Sequence, residues 1–430
     1  MKRHILQLLL LASLSSVTAM GQINCVSGAA AQKLVCEFPF ATGLFRNDSA
    51  LGVGSGTSGA TLNAQQLASS INIGIATQVS QLPLASASAG TVEVYKAGVP
   101  ETFNNLGPIL TDRAQTVGRH RLFLGFTASQ FVFTDIDGTS LDTLPFSYAA
   151  TALNPSTGAV LSTTYTTEST KLQFKIDQFI GVATYGVSNR IDVSVVVPTE
   201  YVSLGATTYN SQSYIVNANN VLVFGPYSNP QTYTSGTASG LGDITVNGKG
   251  ELWTGEHATV SAAMNVRVPS GDDLNYLGSG AWGFNPYIIY SYLGKVSPHA
   301  KLGYQWNTST ELNNPTFTSG GNLSLPGGMQ YDVGADWAVA KRLTVAADLL
   351  GNQFLNTPRL ISTKTTITGL PTPLATSIAG NSTYSLNNAS AGLKIAAYRD
   401  LVLSGNVLFQ INDNGLRSRP TPLVGISYKF

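Results

Sequence analysis

Charge is what this chain has least of. Asp, Glu, Lys and Arg make up 11% of its 430 residues, under half the share of about 25% usual in globular domains. The 24 basic and 23 acidic residues leave a formal net charge of +1. That balance carries no electrostatic footprint for nucleic acid. Cysteine is scarcer still, with Cys25 and Cys36 alone. Neither has a His, a further Cys or a carboxylate at ligand spacing, so no metal centre is expected there. Long apolar runs are missing as well. No segment beyond the N-terminus reaches the ~18 residues of a membrane-spanning helix. The glycines are numerous, 43 in all, yet none forms a phosphate-cradling loop between a strand and a helix. No cofactor is expected.

The N-terminus reads as a secretory signal. Lys2, Arg3 and His4 precede the short apolar run Ile5 to Leu14, and small residues suit cleavage after Ala19 or Gly21. Residues 1–21 are therefore assigned to the signal peptide. The run Gln22-Ile23-Asn24-Cys25 lacks the small residue that precedes a lipidated cysteine. In an oxidising compartment Cys25 and Cys36 are most simply a disulfide closing a small loop.

What the chain does have is alternation. Its last run, Val424-Gly425-Ile426-Ser427-Tyr428-Lys429-Phe430, sets apolar Val424, Ile426, Tyr428 and Phe430 against small or polar neighbours. A period of two means a strand with two different faces. The same pattern runs through 242–255, 258–270, 298–310, 329–341 and 401–413. These segments exceed the five or six residues of ordinary soluble strands. Aromatics sit near the ends of their apolar faces: Trp253, Tyr290, Tyr292, Trp306 and Trp337. Low charge, alternation and aromatic girdles together predict an all-β transmembrane antiparallel barrel. A strand that ends flush on Phe430, with Tyr428 two residues earlier, resembles the closing strand of bacterial outer-membrane barrels. In those proteins that strand is the signal read by the assembly machinery.

Thirteen strands are expected, at 119–133, 142–152, 170–186, 190–206, 242–255, 258–270, 281–294, 298–310, 329–341, 343–356, 386–398, 401–413 and 418–430. Their connections largely alternate between short turns and long loops, as outer-membrane barrels arrange them on opposite faces. The connection at 414–417 is short and breaks the pattern. If Phe430 ends on the short-turn side, 119–133 runs downward and one more upward strand must precede it, best placed at Thr91 to Lys96. The total is about 14, with residues 87–430 forming the barrel. Residues 22–86 remain as an N-terminal plug in the lumen or a periplasmic arm.

Three stretches add a family resemblance. They are Leu106-Gly107-Pro108-Ile109-Leu110-Thr111-Asp112-Arg113-Ala114-Gln115-Thr116-Val117-Gly118, then Gly242-Asp243-Ile244 leading to Val268-Pro269-Ser270-Gly271-Asp272-Asp273, then Ser297-Pro298-His299-Ala300-Lys301-Leu302-Gly303-Tyr304-Gln305-Trp306-Asn307. In order and spacing they resemble the outer-membrane family named for a MetA-pathway phenol-degradation protein. The resemblance implies kinship with long-chain fatty-acid channels, which are 14-stranded and plugged at the N-terminus, and passage of hydrophobic compounds.

The inward faces are expected to carry Lys171, Lys175, Asp177, Asp192, Asp243, Lys249, Glu251, Arg267, Lys301, Asp332, Asp336, Asp348 and Lys394. Charges in a lumen can select solutes, but the mixed signs argue against a strongly ion-selective pore. Gly271-Asp272-Asp273-Leu274-Asn275 has too few oxygen ligands for a hard cation. The histidines at 120, 257 and 299 lie at or beside turns and strand ends, which suits a hydrolase poorly. The expected protein is thus a non-enzymatic, monomeric outer-membrane channel. Its partners would be the lipid bilayer, the assembly machinery and a small, hydrophobic or aromatic cargo taken up or exported passively. A general porin with an open aqueous lumen, or a barrel that binds partners through its long loops, is the alternative.

Overall fold

A computed structural model describes residues 33–37, 71–82, 92–96, 99–103, 105–154, 156–313, 324–398 and 400–430. Residues 1–21, read as the signal peptide, and Cys25 lie outside the described residues. Cys36 is fully buried and is not a free thiol.

Twelve antiparallel strands form the wall. They are β1 (Leu122–Ile136), β2 (Val160–Gly186), β3 (Ile191–Asn217), β4 (Thr245–Thr254), β5 (Ala258–Arg267), β6 (Gly283–Tyr292), β7 (Val296–Asn307), β8 (Gly328–Ala340), β9 (Leu343–Thr365), β10 (Leu374–Tyr398), β11 (Leu401–Gln410) and β12 (Thr421–Lys429). Each pairs with the next in chain order. β12 then returns to β1, with Leu423 opposite Ser129 and Lys429 opposite Phe123. The twelve-stranded wall therefore closes on itself. Closure is what lets strands stand in hydrocarbon, where an unpaired N–H or C=O costs several kcal/mol.

Two of the expected strands are not in the wall, so the count of about 14 is corrected to 12. The segment 142–152 appears as Leu144–Leu153, but it pairs only with the outer half of β2. Val92–Lys96 pairs only with Val99–Phe103, as a hairpin. The physical reason is strand length. β2 and β3 each run 27 residues, against the ~9–11 that cross a bilayer. The surplus stands beyond the lipid and recruits extra strands, Leu144–Leu153 on β2 and Thr232–Leu241 on β3. Removing two strands keeps the number even. It also reverses the reading of β1, which starts at the end where the chain finishes: Phe430 N–H donates to Leu122 O at 2.7 Å.

The outer face behaves as lipid demands. Phe126, Phe179, Ile288, Leu302, Val333, Leu349, Val424 and Ile426 are all exposed and point away from the lumen. Trp253, Trp337, Tyr398 and Phe430 cluster at the short-turn end, while Trp282 and Trp306 mark the other rim. A belt of aliphatic side chains between two aromatic girdles is the signature of a membrane-spanning barrel.

Part of the lumen is occupied by the chain itself. Helical residues 71–79 and the turn Leu34–Cys36 pack inside it. Ile71, Ile75 and Val79 meet Phe131 and Phe133 of β1, Leu172, Phe174 and Ile176 of β2, and Val202 and Leu204 of β3. Phe133 stacks on Phe174 with centroids 4.9 Å apart, and Tyr276 packs edge-on against Phe174. These inward positions are apolar because other protein, rather than water, lies against them.

A charge on the lipid-facing belt should be costly. Leu302→Lys is expected to lower barrel stability by about 2–4 kcal/mol, measured by urea unfolding in phospholipid vesicles. A loss near zero would contradict the assignment of that face to lipid.

Candidate functional site

Between the hairpin at 92–103 and β1, the chain crosses the lumen at its short-turn end. Residues 105–117 make no strand pairing, yet Asn105, Leu106, Thr111, Arg113, Ala114 and Gln115 are buried. Buried backbone polar groups must find partners, and here inward side chains of the wall supply them. The segment begins at β9, where Leu106 N–H donates to Thr344 Oγ1 at 3.0 Å. Lys394 Nζ of β10 donates to the carbonyls of Leu106 and Pro108. Ala114 N–H donates to Ser291 Oγ of β6 at 2.9 Å, and Ser261 Oγ of β5 donates to Ala114 O at 2.5 Å. Lys249 Nζ of β4 donates to Arg113 O at 3.1 Å and to Gln115 O at 2.8 Å. The segment leaves past two carboxylates, with Thr116 N–H on Glu251 Oε1 at 2.9 Å and Val117 N–H on Asp192 Oδ2 at 2.8 Å.

The charges are matched to the backbone. Ammonium groups face carbonyls and carboxylates face N–H groups, which are the stronger, charge-assisted kind of hydrogen bond. The turn into the segment depends on Gly107. Its φ is +74°, and a Cβ there would lie 1.8 Å from the Arg113 guanidinium. Only glycine meets both conditions.

His299 of β7 sits under the middle of this strap. Its Nε2 lies 2.7 Å from Thr111 Oγ1 and 2.8 Å from Asp348 Oδ1, and its Nδ1 lies 3.6 Å from Asp336 Oδ2. A hydroxyl, an imidazole and carboxylates together suggest a nucleophile site. The geometry argues otherwise. Thr111 Oγ1 also lies 3.2 Å from Asp348 Oδ1, so the hydroxyl proton has a carboxylate acceptor. The group ties the strap to β7 and β9.

The sequence-derived candidates divide into three sets. Asp192, Lys249, Glu251, Asp336, Asp348 and Lys394 gather around the strap, most of them directly bonded to it. Arg267, Lys301 and Asp332 lie inward and further along the lumen, with Lys301 Nζ 2.8 Å from Asp332 Oδ2. Lys171, Lys175 and Asp177 are instead on the outward face of β2, in register with exposed Phe179. Lys175 pairs with Asp177 at 2.9 Å and Lys171 with Asp142 at 3.0 Å. The long extension of β2 beyond the lipid explains them, since charged side chains there meet water on either face. Sequence reasoning missed the strap itself, His299 as its anchor, and the hydroxyls of Ser261, Ser291 and Thr344. The available signal was Leu106–Gly118, a stretch of mixed polarity without alternation just before the first wall strand.

The far mouth holds a second cluster, formed by loops. Asp272 Oδ2 takes Lys33 Nζ at 2.6 Å. Asp243 accepts from Ser279 N–H and Oγ, and Arg267 Nε lies 3.6 Å away. Burial, reinforced by the charge of Asp272, raises the Asp273 carboxyl to about 6. Burial, reinforced by Asp273 and Asp272, raises Glu311 to about 7.

Over residues 154–341 the chain matches the family model described as putative MetA-pathway of phenol degradation. That is the family whose resemblance is carried by the three sequence stretches. No curated protein matches the chain. Solved structures similar to it include the COG4313 outer membrane channel from Pseudomonas putida F1, at 12% identity and a TM-score of 0.46, covering 74% of this chain and 98% of that one. The CymD monoaromatic hydrocarbon channel is similar at 9% identity and a TM-score of 0.31, covering 72% and 88%. A Pseudomonas aeruginosa FadL homologue is similar at 8% identity and a TM-score of 0.28, covering 72% and 89%.

Two outcomes follow for this lumen. Replacing both Lys249 and Lys394 by Met leaves strap carbonyls without their charged donors, at about 1–3 kcal/mol each. Hydrogen exchange of 105–117 should quicken while the barrel keeps its heat-resistant gel mobility; unchanged exchange would contradict the clamp. At the far mouth, carboxyls raised on folding bind more protons folded than unfolded. Loop stability should therefore fall as pH rises from about 4 to about 7. Protection of 271–281, corrected for intrinsic rates, should drop over that window, and Asp273→Asn should flatten the dependence.

Proposed function

We propose that this protein is a bacterial outer-membrane channel for passive movement of small hydrophobic or aromatic molecules. The observation that carries the reading is the inner surface at the long-loop half, where Phe131, Phe133, Leu172, Phe174 and Ile176 face the lumen. A general aqueous porin has no use for buried phenyl rings facing its pore. Once the helical residues move off these side chains, an apolar solute can take their place and leave water for an apolar wall, worth about 25 cal/mol per Å².

In this reading the chain is exported by its signal peptide, and the short-turn end faces the periplasm. Tyr428 and Phe430, edge-on with centroids 4.5 Å apart, serve as the mark for the assembly machinery. The N-terminal residues inside the lumen and the strap together form the plug, and solute passes when they shift. The reading is of a monomer, each chain closing its own barrel, and of a channel rather than an enzyme.

Expression in a Gram-negative host whose outer membrane retards hydrophobic solutes should raise uptake of a small aromatic severalfold. The purified protein should show only small or intermittent conductance in planar bilayers. Unchanged uptake would refute the cargo, and a large steady conductance would favour the open porin.

A further inference from the structure

Above the strap the lumen holds a cavity of about 170 Å³. Leu110 and Asp112 of the strap lie at its floor, and Ser80 and Gln81, just after the helical residues, lie on the opposite side. Its wall is a belt of side-chain amides. Asn247, Asn265, Asn285, Gln305, Gln330 and Asn352 come one each from β4, β5, β6, β7, β8 and β9. Register links them in two runs: Asn247 is opposite Asn265 and Asn265 opposite Asn285, and Gln330 is opposite Asn352. Six consecutive strands thus each present a side-chain amide to this cavity, between the apolar zone and the charged strap.

The charges around this belt are already engaged. Lys301 pairs with Asp332 at 2.8 Å. Arg267 donates to Ser80 O at 2.9 Å and Asn307 Oδ1 at 2.8 Å, and Asp112 accepts from Tyr287 at 3.0 Å. An ionised solute would find no uncompensated counter-charge. The amides bond partly to one another, Asn247 Nδ2 donating to Asn265 Oδ1 and Asn285 Nδ2 to Gln305 Oε1, and their remaining donors and acceptors match a solute whose own groups both donate and accept. Gln81 Oε1 and Asn285 Oδ1 take no hydrogen bond from the described residues. The volume equals that of about five or six liquid waters, the size of one small polyol or pyranose.

We propose that this cavity is a binding site for a neutral, polyhydroxylated small molecule. Passage of hydrophobic cargo does not require such a site, so the inference goes beyond the channel reading. It gives the lumen a polar specificity directly on the strap.

The test is equilibrium binding to the full chain in detergent micelles, read by saturation-transfer NMR with xylitol. Saturable transfer is expected, and toluene should not displace it. Asn265→Leu and Asn352→Leu should each weaken binding about tenfold, as losing one hydrogen bond in a dry site does, with folding checked by heat-modifiable migration. No transfer to xylitol, or equal affinity in folded variants, would overturn the site and leave the uptake result untouched. Permethylated xylitol gives a readout that needs no variant. It keeps the carbon frame but loses every donor, so it should not bind, and equal binding would overturn the proposal.

Discussion

The structure depends on the closing pair of strands. Phe430 and Leu122 exchange backbone hydrogen bonds in both directions, and β12 then pairs with β1 along its length. Without that seam, two edges of a twelve-stranded sheet would face lipid with unpaired N–H and C=O groups, which a bilayer does not tolerate. With it, the wall becomes a rigid frame whose inward side chains hold fixed positions. Everything inside the lumen is built on those positions.

The strap shows what the frame makes possible. An irregular stretch with no strand partner lies buried because side chains of the wall bond to its backbone at both ends. Irregular backbone at membrane depth is tolerated only where protein surrounds it. The donors and acceptors come from eight strands, β3 to β10, so the strap also ties distant parts of the wall together. The lumen consequently changes character along its axis. It is apolar where helical residues pack against β1 to β3, amide-lined at the middle, and charged beneath the strap. Cargo moving through would meet these three environments in turn.

Much of the wall was legible from residues alone. Alternation in segments such as Val424 to Phe430 marks a strand with a lipid face and a lumen face, and short turns against long loops mark its two ends. The charged inward positions Asp192, Lys249, Asp336 and Asp348 were legible too, because a charge on an otherwise apolar alternating strand belongs inside. Lys171, Lys175 and Asp177 follow the same pattern and face out. Period-two logic cannot tell where along a strand the lipid stops, and β2 continues well past it. The same blindness made Leu144–Leu153 look like a wall strand. The strap was visible only as a family-like stretch, since its partners lie on strands 75 to 288 residues away in sequence.

By itself the sequence determined the kind of object this is: an all-β chain with an apolar outer face and a closing strand that ends on Phe430. Local periodicity encodes those properties, because side-chain direction in a strand depends only on neighbouring residues. The tertiary structure alone decided the count of twelve, the upward course of β1, the apolar filling of the lumen and the clamp on 105–117. Each of these depends on which strands pair and on what lies across the lumen, and those distances are set by closure of the barrel rather than by any local pattern.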